Sequence, residues 1–378
     1  GDGGGLGGGS LGGFGVEFVV DRRTGPLVRV RAALDATDPA YPSISRAFPA
    51  ALWDEREAKD LLGISPDGHP DPRRLVLHEA FPAGYHPLRR DAPWEVPPPP
   101  AGSHERHYVP VVAHGAGVYQ LPVGPIHAGV IEPGHFRFSA VGETVLHLDA
   151  RLFYTHRGVE RLAEGRAFQR ALAIVERSCG VCTVTHALAF SRAVERLAGI
   201  APSPRAARLR ALAAELERLY NHVGDLGNMC AGIAFNPGAS QLGWLKERLL
   251  RVNESLTGHR YLMGVVVPGG VTAAFDADAL AAAPERLRAL EADLRALLHL
   301  VNRSDAAFER FRGTGVLPHD TALALGTAGV AARASGVAGD LRRDRPSPEY
   351  EGLEITQVES AAGDAAARST VPASAARA

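Results

Sequence analysis

Four consecutive prolines at positions 97–100 divide this 378-residue chain into two parts. Proline fixes its own φ angle and has no backbone N–H, so neither a helix nor a central strand continues through such a run. Prolines in series form a stiff, extended segment instead. We therefore predict a linker over residues 94–107, with one folded domain before it and another after it.

The composition limits the kinds of protein that this chain can be. Apolar residues make up 46% of the sequence, which is enough for two cores. The 41 basic and 42 acidic side chains nearly balance, so we expect no binding to nucleic acid. Three cysteines are too few for a disulfide scaffold and suit a reducing compartment. With no apolar run of about 20 residues and no signal-peptide pattern, we expect a soluble, cytoplasmic protein.

The residues before the prolines predict a small α+β domain at 16–93. It follows a glycine-rich segment at 1–15, for which we expect a flexible tail. Apolar periodicity predicts an amphipathic helix that ends at Gly63, where glycine tolerates the left-handed backbone of a helix C-terminus. The predicted strands are residues 16–21, 27–34 and 75–77, and the predicted helix is 48–62.

The residues after the prolines predict a second domain, 108–355, which is mainly helical with a β element at its entrance. The β element is a hairpin formed by residues 136–138 and 144–154. Ser203 and Pro204 have the pattern of a helix start, with a capping hydroxyl followed by proline. Residues 356–378 are rich in alanine and predict a low-complexity tail. Further helices are predicted at 204–227, 240–259 and 278–311, the last with breaks.

Cys179 and Cys182 form a C-x-x-C pair between two apolar-periodic runs, which predicts a helix, a tight turn and a second helix starting near Cys182. Thiols at a helix N-terminus are stabilised as thiolates, the form that binds soft metals. His186 follows Cys182 by four residues and therefore faces the same side of the second helix. The residues leave three interpretations open: half of a metal site, a zinc half-site, or reduced structural thiols.

Several segments resemble known oxidoreductase subunits. Residues 53–57, 60–64, 68–71 and 86–91 resemble the small hydrophilic peripheral-arm subunit of respiratory complex I. From Gly124 onward the chain resembles both the quinone-site subunit of complex I and the large subunit of group 4, membrane-bound [NiFe] hydrogenases of the formate-hydrogenlyase type. The second resemblance is carried by residues 124–127, 132–138, 156–160, 176–182, 268–271 and 331–336.

The resemblance implies a nickel–iron centre held by four cysteine thiolates from two C-x-x-C pairs. Cys179 and Cys182 match the first pair, whereas Cys230 is isolated and matches neither. The two residues that bind quinone in complex I are replaced here by Ile131 and Ser178, which favours the hydrogenase branch. We expect either that the sequence stops before the second pair or that the lineage has lost the metal.

The same resemblance suggests roles for individual residues. Glu132 would accept the proton released from hydrogen, and its apolar neighbours predict a buried carboxyl group with a raised pKa. His186 would donate an N–H to a metal-bound thiolate, and Arg177 stands in the matching catalytic position. Arg157 and Glu160 would line the cofactor cavity. Each also has a simpler interpretation, as a loop acid, a core histidine or a surface charge pair.

The function implied by the resemblance is that of the large, catalytic subunit of a [NiFe]-hydrogenase-like complex that interconverts H2 with protons and electrons. Expected partners are an iron–sulfur small subunit with a 4Fe-4S cluster and the membrane-arm subunits, at the cytoplasmic face of the inner membrane. Two alternatives remain open: a complex I-like subunit acting in quinone reduction, and a metal-free structural subunit. Arg333 and residues 342–345 form a basic cluster that faces either a partner or solvent.

Overall fold

The computed structural model describes residues 13–21, 25–79, 81–95, 109–127, 132–272 and 275–376. It has two compact units, Gly1–Arg161 and Leu162–Ala378. The predicted α+β class is confirmed, with small sheets mostly in the first unit and mainly helices in the second. The tail predicted for 1–15 and the linker predicted for 94–107 fall mostly outside the described residues.

The first unit begins with an antiparallel hairpin, as predicted. Its strands are β1 (Gly15–Val20) and β2 (Val28–Ala33), which pair antiparallel along their whole length. β3 (Ala40–Pro42) then pairs in parallel with β4 (Ser65–Asp67) across the helix α1 (Leu52–Leu62). Gly63 ends α1 with a φ of 74°, which confirms the predicted helix end.

Buried carboxylates on α1 organise the loops around it. Glu55 accepts hydrogen bonds from the Ser43 hydroxyl at 2.6 Å and the Ile44 N–H at 2.9 Å. Asp60 Oδ2 accepts three backbone N–H groups, those of residues 75, 76 and 77, at 2.8, 2.8 and 3.1 Å. The strand predicted at 75–77 is therefore wrong, because these N–H groups bond to a carboxylate instead of a neighbouring strand.

A three-stranded antiparallel sheet completes the first unit and confirms the predicted hairpin. It consists of β5 (Tyr119–Val123), β6 (His135–Val141) and β7 (Thr144–Arg151), with β6 in the middle. Phe153, just after β7, packs against the apolar cluster formed by Leu61, Val76 and Leu77. Residues that precede and follow the proline run thus share one core.

Helices form most of the second unit, with α5 (Pro204–Gly232) and α6 (Asn236–Thr257) at its centre. Tyr220, Val223 and Leu242 are among the core side chains almost completely removed from solvent. The Ser203 hydroxyl accepts from the Ala206 N–H, so the predicted helix start is confirmed. A short hairpin, β8 (Val266–Val267) with β9 (Gly270–Val271), precedes α7. The helices are α2 (Val159–Ala163, at the unit boundary), α3 (Phe168–Val175), α4 (Thr183–Ala198), α5 (Pro204–Gly232), α6 (Asn236–Thr257), α7 (Ala277–Asn302), α8 (Asp305–Phe311), α9 (His319–Ala324), α10 (Gly329–Ala334), α11 (Leu341–Asp344) and α12 (Ala365–Ala375).

The end of the chain differs from the predicted low-complexity tail at 356–378. Residues in this stretch form α12, whose N-terminus is capped by Asp364 through the Ala367 N–H at 2.8 Å. Ala367 and Val371 are buried and pack with Ala334 of α10. Alanine side chains allow helices to approach closely, so a stretch without a large apolar face still packs. In the described part of the chain, none of the helices is both long enough and apolar enough to cross a membrane.

Candidate functional site

The C-x-x-C pair lies in the loop that joins α3 to α4. Cys182 is the N-cap residue of α4, so the predicted helix start is confirmed. The Cys179 and Cys182 sulfur atoms are paired as a disulfide, with their Cα atoms 5.3 Å apart. Both residues are half-buried. The loop therefore brings the two sulfur atoms together at the start of a helix.

Side chains of helix α5 hold this loop by hydrogen bonds to its backbone atoms. The Tyr220 hydroxyl and the Asn221 amide both donate to the carbonyl of Val181, at 2.7 and 2.9 Å. Val181 stands between the two cysteines, so this carbonyl fixes the middle of the loop. Glu217 accepts from the backbone N–H groups of residues 184 and 185, at 2.7 and 2.9 Å. The carboxylate thus caps α4, to which the Cys182 side chain gives no capping hydrogen bond.

The sequence alone does not identify these three residues of α5 as contacts of the cysteine loop. Their spacing of i, i+3 and i+4 does place them on one helix face. This spacing is a detectable signal, but it does not reveal the partner. Val184, whose N–H donates to Glu217, lies 33 residues earlier in the chain.

Two buried carboxyl groups flank the cysteine loop. Burial raises the pKa of Glu217, although three hydrogen bonds to it act in the opposite direction. Burial also raises the pKa of Glu176, whose carboxylate accepts from the Gly264 N–H at 2.9 Å. Both groups are thus committed to backbone donors and stabilise the loop and the turn before β8.

The other predicted residues of this stretch have different surroundings. His186 lies in the first turn of α4, half-buried, with its backbone N–H 3.2 Å from the Cys182 carbonyl. Arg177, just after α3, is exposed and donates to the Ala173 carbonyl of that helix at 2.8 Å. The loop region therefore contains Arg177, Cys179, Cys182 and His186.

The remaining predicted site residues, Glu132, Arg157 and Glu160, belong to the first unit. Glu132 Oε1 lies 3.4 Å from Arg157 Nη2, and Glu160 Oε2 lies 3.8 Å from His156 Nε2. The side chain of Glu132 is 67% exposed, so its predicted burial is not observed. That these residues converge with the cysteine pair in one cavity stays a prediction.

A further acid of the first unit, Glu57 on α1, is not identified as a site residue by the sequence alone. Burial raises its pKa, and the negative charges of Glu160 and Asp54 raise it further. The charge of Glu160 therefore acts on an acid about a hundred residues earlier in the chain. No local sequence signal reveals a pairing over that separation.

The donor atoms define what metal this chain can hold. Among the described residues, no group of three or more His, Cys, Asp or Glu side chains is placed to bind a metal ion. Cys230 is a buried free cysteine on α5, nine positions beyond Asn221, and burial raises the pKa of its thiol. The donor set at the loop is therefore two sulfur atoms, which fits half of a four-thiolate centre.

Three family descriptions match successive parts of the chain. Residues 14–98 match the 30 kDa subunit of respiratory-chain NADH dehydrogenase. Residues 157–226, which include the cysteine loop and most of α5, match nickel-dependent hydrogenase. Residues 243–376 match the 49 kDa subunit of respiratory-chain NADH dehydrogenase.

Similar proteins come from both classes of oxidoreductase. Formate hydrogenlyase subunit 5 of Escherichia coli is 34% identical over 93% of this chain and 62% of its own length. The carbon monoxide-induced hydrogenase of Rhodospirillum rubrum is 30% identical over 67% of this chain and 70% of its own length. The C/D subunit of the NADH-quinone oxidoreductase of Phocaeicola vulgatus is 30% identical over 87% of this chain and 66% of its own length. The chain thus spans less than two thirds of formate hydrogenlyase subunit 5.

Proposed function

Because this chain belongs to the superfamily of nickel-dependent hydrogenases and complex I 49 kDa subunits, with a 30 kDa-type region at its start, we propose that it acts as the large subunit of a membrane-associated [NiFe]-hydrogenase-like oxidoreductase. The observation that carries this proposal is the C-x-x-C loop. Its two sulfur atoms meet at the N-terminus of α4, inside the region that matches nickel-dependent hydrogenase.

In the proposed function, reduced Cys179 and Cys182 hold one side of a nickel–iron centre. Thiolates at a helix N-terminus are suitable ligands because the N–H groups there favour negative charge. The 378 residues contain one C-x-x-C pair, so they supply two of the four thiolates of such a centre. When bound, the centre supplies the reversible splitting of H2 into protons and electrons.

The residues of the chain would then move protons and position the ligands. The His186 side chain, one turn from Cys182 along α4, would donate a hydrogen bond to a thiolate, and Arg177 would add positive charge beside the loop. Glu132 would take up protons, because its exposed carboxylate exchanges them readily with solvent. Arg157, 3.4 Å from Glu132, would hold that carboxylate in place, and Glu160 would line the same region.

The proposed partners follow from the same function. Electrons would pass to a 4Fe-4S cluster on an iron–sulfur small subunit, since this chain has too few cysteines to hold such a cluster itself. Membrane-arm subunits would anchor the complex at the cytoplasmic face of the inner membrane. One relative is named as the alpha subunit of a membrane-bound hydrogenase, which supports this arrangement.

Two other functions remain in competition. A complex I-like subunit acting in quinone reduction is favoured by the match of residues 243–376 to the 49 kDa subunit. A metal-free structural subunit is favoured by the loop itself, because the hydrogen bonds from α5 to it involve backbone atoms and not sulfur. Nickel content separates both of them from the hydrogenase.

We expect the native complex that contains this chain to hold about one nickel per copy, in line with a four-thiolate site. Replacing Cys182 by Ser should remove the nickel, because an alcohol is a hard, rarely ionised donor. Elemental analysis of the purified complexes measures this directly.

Cys230→Ala provides the matched control, since it also removes one thiol but lies outside the loop. This variant should keep its nickel. A wild-type complex without nickel contradicts the proposal and leaves the quinone-linked and structural functions. Equal loss in both variants means that nickel depends on folding rather than on Cys182.

A further inference from the structure

A chain of alternating charges in the second unit runs from α10 through α11 to α5. Arg333 Nη1 lies 3.7 Å from Asp340 Oδ2, and Arg342 Nη2 lies 2.6 Å from the same oxygen. Arg342 Nη1 also contacts Glu215 Oε2 at 2.8 Å, and Arg218 Nε contacts that oxygen at 3.2 Å. This row of charged side chains begins with Arg333 and ends with Arg218, so it contains three positive and two negative charges.

Arg333 is poorly satisfied for a buried guanidinium. It is 5% exposed, and its Nε has no hydrogen-bond partner in the part of the chain that the structure describes. The 3.7 Å contact with Asp340 is too long for a hydrogen bond. A buried donor without an acceptor is unfavourable, so the Nε–H of this guanidinium calls for a further ligand.

His222 provides a second unsatisfied donor beside the same charges. It is 8% exposed and follows Arg218 by one turn of α5, and its Nε2 also lacks a partner among the described residues. Burial, assisted by the charges of Arg218, Arg333 and Arg342, lowers the pKa of His222 to about 4. At neutral pH the ring is therefore uncharged, and in one tautomer its Nε2–H donates. The buried hydroxyl of Ser335, two residues after Arg333, is unpartnered as well.

We propose that Arg333, His222 and Ser335 form a binding site for a small oxyanion. The guanidinium Nε–H, the imidazole Nε2–H and the hydroxyl are all donors, and oxyanions accept from guanidinium groups with good geometry. One negative charge offsets the excess positive charge of the chain from Arg333 to Arg218.

Access and size also favour a small ligand. Arg218 and Glu215, at the far end of the charge chain, have side chains that are 32% and 36% exposed. Arg333, His222 and Ser335 are themselves almost fully buried, which excludes a large ligand. Inorganic phosphate is small and has the acceptor oxygens that these three donors require. Phosphate binding by these residues does not depend on the proposed hydrogenase function.

The experiment is thermal unfolding of the chain at increasing concentrations of inorganic phosphate, with ionic strength held constant by sodium chloride. The Tm of the wild type should rise with phosphate, because a ligand that binds the folded state stabilises it. Arg333→Met removes the charged donor and keeps an apolar side chain. It should weaken phosphate binding by at least about tenfold, in line with a lost charged hydrogen bond.

Two further variants complete the test. Arg288→Met makes the same change on an exposed face of α7 and should keep the full rise of Tm. Ser335→Ala keeps both nitrogen donors and should weaken phosphate by a smaller factor, which decides the matter if Arg333→Met does not fold. A wild-type Tm that is indifferent to phosphate overturns the proposal and leaves water at the site. A rise that persists in the Arg333 and Ser335 variants also overturns it, because the anion then binds elsewhere.

Discussion

At the scale of single residues, buried polar groups make the most specific contacts of this chain. Asp60 collects three consecutive backbone N–H groups, and Glu217 collects two at the start of α4. In each case a carboxylate accepts the backbone hydrogen bonds that the carbonyls of a neighbouring strand or a preceding helical turn would otherwise accept. Backbone donors buried without such a partner would cost about 1–3 kcal/mol each. These acids therefore set the local backbone as firmly as the apolar core does.

His222 gives a prediction at this scale. Burial and the facing arginines Arg218, Arg333 and Arg342 lower its pKa from 6.5 to about 4, while Glu215 acts in the opposite direction. Below about pH 6.5 the unfolded chain binds a proton that the folded chain does not bind. Folding stability should therefore fall between pH 6.5 and about 4 and change no further from this group below that. We expect this residue to contribute about 3 kcal/mol to the fall.

Urea unfolding at the two ends of that window, without phosphate, measures the effect. His222→Gln should flatten the pH dependence, whereas His299→Gln on the exposed side of α7 should leave it as in the wild type. Parallel pH profiles for the wild type and His222→Gln would contradict the assignment.

At the scale of elements, helix α5 makes three separate sets of contacts. One face packs in the main core through Tyr220 and Val223. Glu217 and Asn221 hold the cysteine loop. Arg218 ends the row of charged side chains that begins with Arg333, and His222 lies beside that row. A helix of 29 residues can do this because its side chains point in all directions around one rigid axis. Any change that bends α5 is therefore expected to affect all three.

Helix α12 gives the prediction for an element. Val371 is completely buried against Ala334 and Ala367. Val371→Ala removes two methyl groups from this contact and should lower the free energy of unfolding by about 1–2 kcal/mol. Chemical denaturation followed by circular dichroism measures the change. The exposed neighbour Thr370→Ala should change stability by no more than about 0.5 kcal/mol. Equal effects for the two variants would mean that α12 does not pack as described.

At the scale of the whole molecule, the first unit joins chain segments from both sides of the proline run. The guanidinium of Arg161 donates to the carbonyls of Pro87, Arg89 and Ala92 at 2.7, 2.7 and 2.5 Å and lies over the Trp94 ring. His78 Nε2 is 2.9 Å from the Leu152 carbonyl. These contacts are of the kind found inside a domain, whereas the sequence predicts separate domains at 16–93 and 108–355.

Cleavage of the proline segment distinguishes a single folded unit from two independent domains. A protease site inserted within residues 97–107 should be cut without releasing residues 16–93, because the contacts of Arg161 and Phe153 remain. The two fragments should elute together in gel filtration. Arg161→Ala should weaken their association after cleavage, and the uncut protein serves as the reference. Separate elution of the wild-type fragments would favour the independent domains that the sequence predicts.

Local signals account for what the sequence predicts well in this chain. Ser203 and Pro204 mark the start of α5 because capping acts over three residues. Apolar periodicity likewise predicts α1, α4 and the hairpin of β6 and β7. The failures involve distant partners. Asp60 binds residues 15 to 17 positions away, which turns a predicted strand into a loop. Glu132 is exposed although its neighbours are apolar, since burial depends on what packs over them.

The anchoring of the cysteine loop has a consequence for how such chains change over evolutionary time. The bonds from α5 reach the Val181 carbonyl and the N–H groups of residues 184 and 185, and leave the two sulfur atoms aside. Positions 179 and 182 can therefore mutate while the backbone keeps its course. A descendant that changes both cysteines would retain the backbone of this loop, on which different side chains can support a different chemistry. The same scaffold is thus open to relatives named as hydrogenases and as quinone oxidoreductases.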